Sequence, residues 1–235
     1  MYDPDDPGMQ PQRPTVANAE VVSVEWLFEP CWPGDRLLVR IEDGRARVIA
    51  ADGSDADSTH PEVREVLATA ILADQALVDG VWTAQPFIGD GSPARNWAET
   101  LEREGLDDEL PDPLENEQRR AFVAVDLVEL DGEPLHDVPF QERRRLLESV
   151  VDEGVQVRLS PVVKQPIGGW LVGWRQNGFT RYIAKHQNSR YRPGEVTPDW
   201  LEISVSAGSE PRGMVGRMFG SRRPEATTRR VGDAE

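Results

Sequence analysis

The chain has 235 residues, 38% of them apolar, enough for a sizeable core in one or two domains, and its single cysteine, Cys31, excludes a disulfide framework. Its 26 basic and 42 acidic residues give a formal net charge of -16, the wrong overall sign for a protein that grips nucleic acid through phosphate contacts. No run approaches the roughly 18 to 20 continuous apolar residues of a membrane span, and the acidic, proline-rich start is unlike an export signal, so a cytoplasmic protein without membrane contact is expected.

Residues 1–19 carry four prolines and few apolar side chains, which predicts a disordered leader. One domain is expected over residues 20–206, where short β-branched and aromatic runs are punctuated by Gly, Pro and Asp. Strands are predicted at 21–28, 36–41, 45–50, 76–84, 121–130, 155–159, 170–174, 179–185 and 200–206. Glu42, Asp43 and Gly44 read as a hairpin turn, because Asp-Gly accepts positive φ. A helix capped by Thr59 is predicted from Pro61 to about Ala73, with Val63, Val66, Leu67 and Ala70 on one face. A second helix is expected over 94–104, followed by an exposed acidic loop at 105–118, and a third helix over 139–152. Residues 207–235 read as a disordered tail in which six arginines face four acids, net +2. Strands and helices that do not alternate regularly point to an α+β fold.

Only Lys164 and Lys185 are lysines, so 24 of the 26 basic residues are arginines and lysine chemistry has two candidates. His60, His136 and His186 have no metal-site spacing, and there is no phosphate-binding glycine loop or nucleophile elbow.

Four blocks stand in a recognisable order. They are WLFEPCWPGDRLLVRIEDG from Trp26, LVDGVWT from Leu77, FVAVDLVELDGEPLHDVPF from Phe122 and GFTRYIAKHQNSRYRPGEVTPDWLEIS from Gly178. Together they resemble the adenylation domain of ATP-dependent DNA ligases, whose corresponding patterns are W-x-x-E-x-K-x-D-G-x-R, L-D-G-E, F-D-hydrophobic and E-G-hydrophobic-hydrophobic-x-K with a late W-x-K-x-K strand. The resemblance implies the ligase adenylation-domain fold, ATP-grasp-like, with antiparallel sheets flanked by helices. It also implies ATP and magnesium as cofactors and a lysine nucleophile that carries AMP to a 5′-phosphorylated nucleic-acid end.

Mapped onto these patterns, Cys31 stands at the nucleophilic lysine and Pro33 at the aspartate. Val81 replaces the L-D-G-E glutamate, and Val125 replaces the phenylalanine expected to stack on adenine. Thr180 and Arg181 replace Glu-Gly, and Glu202 and Ser204 replace the two late lysines. Arg36, Asp126 and Lys185 keep the family residues and are the candidate nucleotide-binding remnants. Arg36 either supports a nucleotide or pairs with an acid of its own sheet. Asp126 is either catalytic or a strand-end turn acceptor, and Lys185 is either a phosphate-facing relic or a surface lysine. Cys31 reads as a small buried residue at a strand end rather than a nucleophile, and Lys164 is a poor replacement for the missing lysine.

About 30 residues follow the last block, too few for the OB-fold barrel that closes over DNA in these ligases, so an adenylation-like domain with weak or no DNA binding is expected. The leading reading is a catalytically degenerate ligase-like domain, non-catalytic or regulatory, in a DNA repair context. One alternative is a divergent active ligase or nucleotidyltransferase completed by a partner. Another is a protein-binding module that engages a basic protein through the old cleft or the acidic loop.

Overall fold

The computed structural model describes residues 9–84 and 120–205. The predicted helix at 94–104, the acidic loop at 105–118 and the tail at 207–235 lie outside the described residues. In chain order the elements are β1 (Arg13–Ala17), β2 (Trp26–Pro30), β3 (Asp35–Glu42), β4 (Arg45–Ala50), α1 (Pro61–Ala70), β5 (Gln75–Thr83) and β6 (Ala121–Leu130). There follow β7 (Glu133–Pro134), α2 (Phe140–Val150), β8 (Val157–Leu159), α3 (Gly168–Gln176), β9 (Arg181–His186) and β10 (Val196–Ser204). This is the α+β architecture expected from the sequence.

Two sheets result. The larger has the order β4-β3-β5-β6-β7 with β8 parallel to β6, and the smaller has the order β1-β10-β9-β2 with β1 parallel to β10. Strands β3 and β4 join through Asp43 (φ 48°) and Gly44 (φ 72°), and these two consecutive positive φ values match the twist of the strands they connect. Strands β5 and β6 are buried along almost their whole length because both of their faces are covered. On one face Leu37, Val39, Val78 and Leu127 pack against Val63 and Leu67 of α1 and Leu147 of α2. On the other, Leu38, Leu77 and Val128 meet Met9, Tyr191 and Trp200. A third cluster gathers Phe28, Val81, Val123, Val125, Tyr182 and Trp174.

Four expectations are corrected. The leader is ordered from Met9: β1 pairs with β10, Gln12 Nε2 donates to Thr197 Oγ1 at 2.8 Å, and the Arg192 N–H donates to Gln12 Oε1 at 2.6 Å. Polar bonds and ladder pairing, which an apolar count overlooks, hold this segment. The stretch 170–174 is helical, within α3, and Trp170 and Trp174 approach with ring centroids 6.4 Å apart, as i and i+4 side chains do on a helix. Strand pairing starts at Trp26 instead of residue 21. Thr59 does not cap α1: its hydroxyl donates to the Ala56 carbonyl, His60 is the N-cap residue, and the helix ends at Ala70. No helix among the described residues is long and apolar enough to cross a membrane.

Gly80, on β5, lies where β6 approaches most closely. A Cβ there would run into the Phe122 ring and come within 2.7 Å of the Val123 carbonyl oxygen. Gly80→Ala is expected to destabilise the domain by about 1–3 kcal/mol, read as a lower urea midpoint at unchanged slope.

Candidate functional site

The positions of the family pattern converge where the two sheets meet, and those that keep the family residue are tied to internal partners. Arg36, on β3, forms a two-pronged pair with Asp79 of the adjacent β5, Nε to Oδ1 at 2.6 Å and Nη2 to Oδ2 at 2.7 Å. The Tyr191 hydroxyl donates to the same Asp79 Oδ2 at 2.8 Å. The arrangement at Arg36 is therefore pairing with an acid of its own sheet. Burial and the neighbouring Asp79 carboxylate push the Tyr191 hydroxyl well above its ordinary pKa.

Asp126 is fully buried within β6, not at a strand end. Its oxygens accept from Arg143 Nε at 2.8 Å, Arg143 Nη2 at 2.9 Å and the Leu127 N–H at 2.9 Å. Arg143 of α2 also donates to the carbonyls of Val138 and Ser189. Lys185 is buried instead of lying on the surface. Its Nζ is 2.7 Å from Glu29 Oε1 and 3.1 Å from the Val125 carbonyl, 4.1 Å from the centre of the Trp200 ring and 4.6 Å from that of Phe140. An ammonium held this way is desolvated and its charge is already met by a carboxylate.

Cys31 follows directly on β2, with its N–H donating to the Arg181 carbonyl at 3.0 Å. Burial, then the Glu202 carboxylate, push its thiol up to about 11, against the opposing pull of Arg36. Arg181 and Glu202 pair with each other, Nη1 to Oε1 at 2.5 Å. Two departures from the family pattern thus compensate one another beside the thiol and leave no net positive charge there. Thiolate formation needs that charge.

Val81 and Val125 stand where the resemblance places the glutamate and the adenine-stacking phenylalanine. They are 4% and 3% exposed and belong to the apolar cluster with Phe28, Trp32 and Tyr182. The donor set does not fit ATP with a divalent metal: the cations are committed internally, a late phosphate-holding position is acidic, and the metal-side carboxylate is a valine. Among the described residues no three His, Cys, Asp or Glu side chains converge as metal ligands. A cavity of about 370 Å³ lined by Pro33, Gly34, Asp35, Trp82, Thr83 and Arg120 lies next to the first block but does not include Cys31, Asp126 or Lys185.

Sequence reasoning missed Glu29, Asp79, Arg143 and Tyr191 as partners of the site. Arg143 had a legible signal, since it falls on the buried stripe of α2 with Phe140, Leu147 and Val150. Asp79 had one too, as a lone acid in an otherwise apolar strand.

A sequence profile for the ATP dependent DNA ligase domain matches residues 15–203. The chain is 28% identical over 178 residues to the multifunctional non-homologous end joining DNA repair protein LigD of Mycobacterium tuberculosis, covering 76% of this chain and 21% of that protein. It is 26% identical over 226 residues to a DNA ligase of Thermococcus onnurineus, covering 91% of this chain and 40% of the ligase. The crystal structure of the ligase domain of M. tuberculosis LigD superposes with a TM-score of 0.62 at 26% identity, over 84% of this chain and 60% of that one. The chain therefore spans about a fifth of the LigD length and two fifths of the Thermococcus ligase.

Two outcomes are expected. Arg143→Met strands the Asp126 carboxylate and lowers stability by about 3–5 kcal/mol in chemical denaturation. With its pKa at about 11, Cys31 reacts with iodoacetamide at pH 8 about 100-fold more slowly in the folded protein than in urea, and Glu202→Gln accelerates the folded-state reaction.

Proposed function

The chain belongs to the ATP dependent DNA ligase domain family, and from that premise we propose that it is a ligase-like nucleotidyltransferase domain that has lost adenylyl transfer and acts as a non-catalytic, regulatory module in DNA repair. One observation carries this reading: the nucleophile position holds a thiol whose pKa is raised to about 11, flanked by the self-neutralising Arg181–Glu202 pair.

Adenylation in the family has four chemical requirements. A nitrogen lone pair must attack the α-phosphorus, the P–O bond to pyrophosphate must break, the nucleophile must lose its proton, and cations must take up the charge on the leaving group. In this chain the proton stays on sulfur at neutral pH. Arg36 and Lys185 are engaged by Asp79 and Glu29, and Glu202 adds negative charge where phosphate would sit. Lys185 is no substitute nucleophile, because its ammonium is buried in an ion pair between two aromatic rings.

The repair setting is taken from the relatives named as end-joining repair proteins, and the reading includes a cytoplasmic location and weak or no DNA binding. The net charge of -16 supports the last point.

Incubating the full chain with α-labelled ATP and magnesium or manganese tests the proposal. No covalent AMP adduct is expected on denaturing gels, and no sealing of a nicked duplex. A stoichiometric adduct that disappears in Cys31→Ala would overturn it.

A further inference from the structure

The loop after β9 carries positive charge that the rest of the chain does not answer. Arg190 and Arg192 are both exposed, with the buried Tyr191 between them, and at two residues' separation their Cα atoms are at most about 7 Å apart. Arg13, exposed at the start of β1, donates from Nη2 to the Gly194 carbonyl at 3.2 Å, which brings its guanidinium against the same loop. None of these three arginines has an ion-pair partner among the described residues, although Glu195 is exposed beside them. Elsewhere exposed arginines are met: Arg64, Arg120, Arg145 and Arg181 each pair with a carboxylate. Arg45 and Arg47 of β4 lie opposite Glu42 and Arg40, where Glu42 and Glu129 supply opposite charge. Arg175 stands in the last turn of α3, at the negative end of the helix dipole.

The backbone beneath the three side chains is fixed. Pro193 and Gly194 (φ 71°) form the middle of a turn closed by the Glu195 N–H on the Arg192 carbonyl at 3.1 Å, with proline and glycine in the order a type II turn favours. The Gly194 N–H donates to the Gln10 carbonyl at 2.8 Å, the Arg192 N–H to Gln12 Oε1 at 2.6 Å and the Tyr191 N–H to the His136 carbonyl at 3.0 Å. Arginines mounted this way have only side-chain freedom to lose when a ligand engages them.

We propose that Arg13, Arg190 and Arg192 form a docking surface for a short acidic segment of a partner protein, one that brings two or three closely spaced aspartates or glutamates. The planar guanidinium fork matches a carboxylate, and unpaired arginines offer it without first breaking another ion pair. A nucleic-acid backbone fits less well. It carries a charge about every 1.7 Å of duplex axis and would run past these three residues into the field of a chain with net charge -16, whereas a short acidic segment ends where the patch ends. The inference is independent of the adenylation reading, since an AMP adduct at Cys31 would leave this loop as it is.

The test is titration of the full chain into the fluorescein-labelled peptide Asp-Glu-Asp-Glu-Asp-Glu, followed by anisotropy. Saturable binding is expected, weakened by added salt and absent for the Asn-Gln-Asn-Gln-Asn-Gln peptide. The double variant Arg190→Gln, Arg192→Gln alters two side chains that make no hydrogen bond among the described residues, so the fold is kept, and it is expected to bind at least roughly tenfold more weakly. Arg175→Gln removes the same kind of charge elsewhere and is expected to bind as the unaltered chain does. Absence of saturable binding, equal weakening by Arg175→Gln, or a short oligothymidylate that binds more tightly than the acidic peptide would each overturn the proposal.

Discussion

Three ion pairs where the two sheets meet, two of them buried and the third joining a half-buried Arg36 to a buried Asp79, are the constraint on which the rest of this domain depends. Arg143 with Asp126 ties α2 to β6, Arg36 with Asp79 ties β3 to β5, and Lys185 with Glu29 ties β9 to β2. Removing such groups from water costs several kcal/mol per ion, and mutual attraction offsets this only where the remaining donors and acceptors are also met. Around Asp126 they are largely met: three N–H groups reach its two oxygens, and Arg143 Nη1 donates to two backbone carbonyls. Tyr191 extends the system by donating to Asp79 while its ring lies 5.6 Å from the Arg143 guanidinium carbon. Each charge is tolerable only because its partner is present, so the positions are interdependent in a way that apolar core positions are not.

That dependence explains which family residues persist. Arg36, Asp126 and Lys185 each hold a pairing whose loss would leave a buried charge, whereas the positions that differ carry no such obligation. Val81 and Val125 have joined an apolar cluster, and Arg181 and Glu202 satisfy one another. On the proposed reading, a chain maintained for its fold would keep the first group and let the second drift in compensated pairs. The scarcity of lysine fits the same account. Arginine serves in the forked carboxylate pairs that stabilise this fold, whereas the missing lysines are at the family's phosphate-facing positions, and Lys185 remains as half of a buried pair.

Much of this was legible in the sequence, and the failures have physical causes. Blocks with motif spacing located Arg36, Asp126 and Lys185 on the correct strands and Cys31 just past the end of one, because glycines, turns and runs of β-branched residues leave local marks. The partner of a buried charge leaves none: nothing near Lys185 in sequence points to Glu29, 156 positions earlier. Residues 170–174, inside the helix Gly168–Gln176, read as a strand in sequence because a short run rich in Trp, Leu and Val suits either period. The strand at Arg13–Ala17 was missed because its stability comes from β10 and from Gln12, both invisible to an apolar count.

The same accounting of partners distinguishes the edges of the two sheets. Strand β1 has Pro14, which has no N–H to offer an incoming strand. On β4, Asp57 accepts from the Val48 N–H at 2.6 Å and the Ala56 N–H reaches the Val48 carbonyl at 2.9 Å, so a loop of the same chain occupies that side. On β2, Phe28 exchanges both hydrogen bonds with Val163. Each of these edges has been answered locally, by a residue that removes a donor or by a loop that takes the ladder positions.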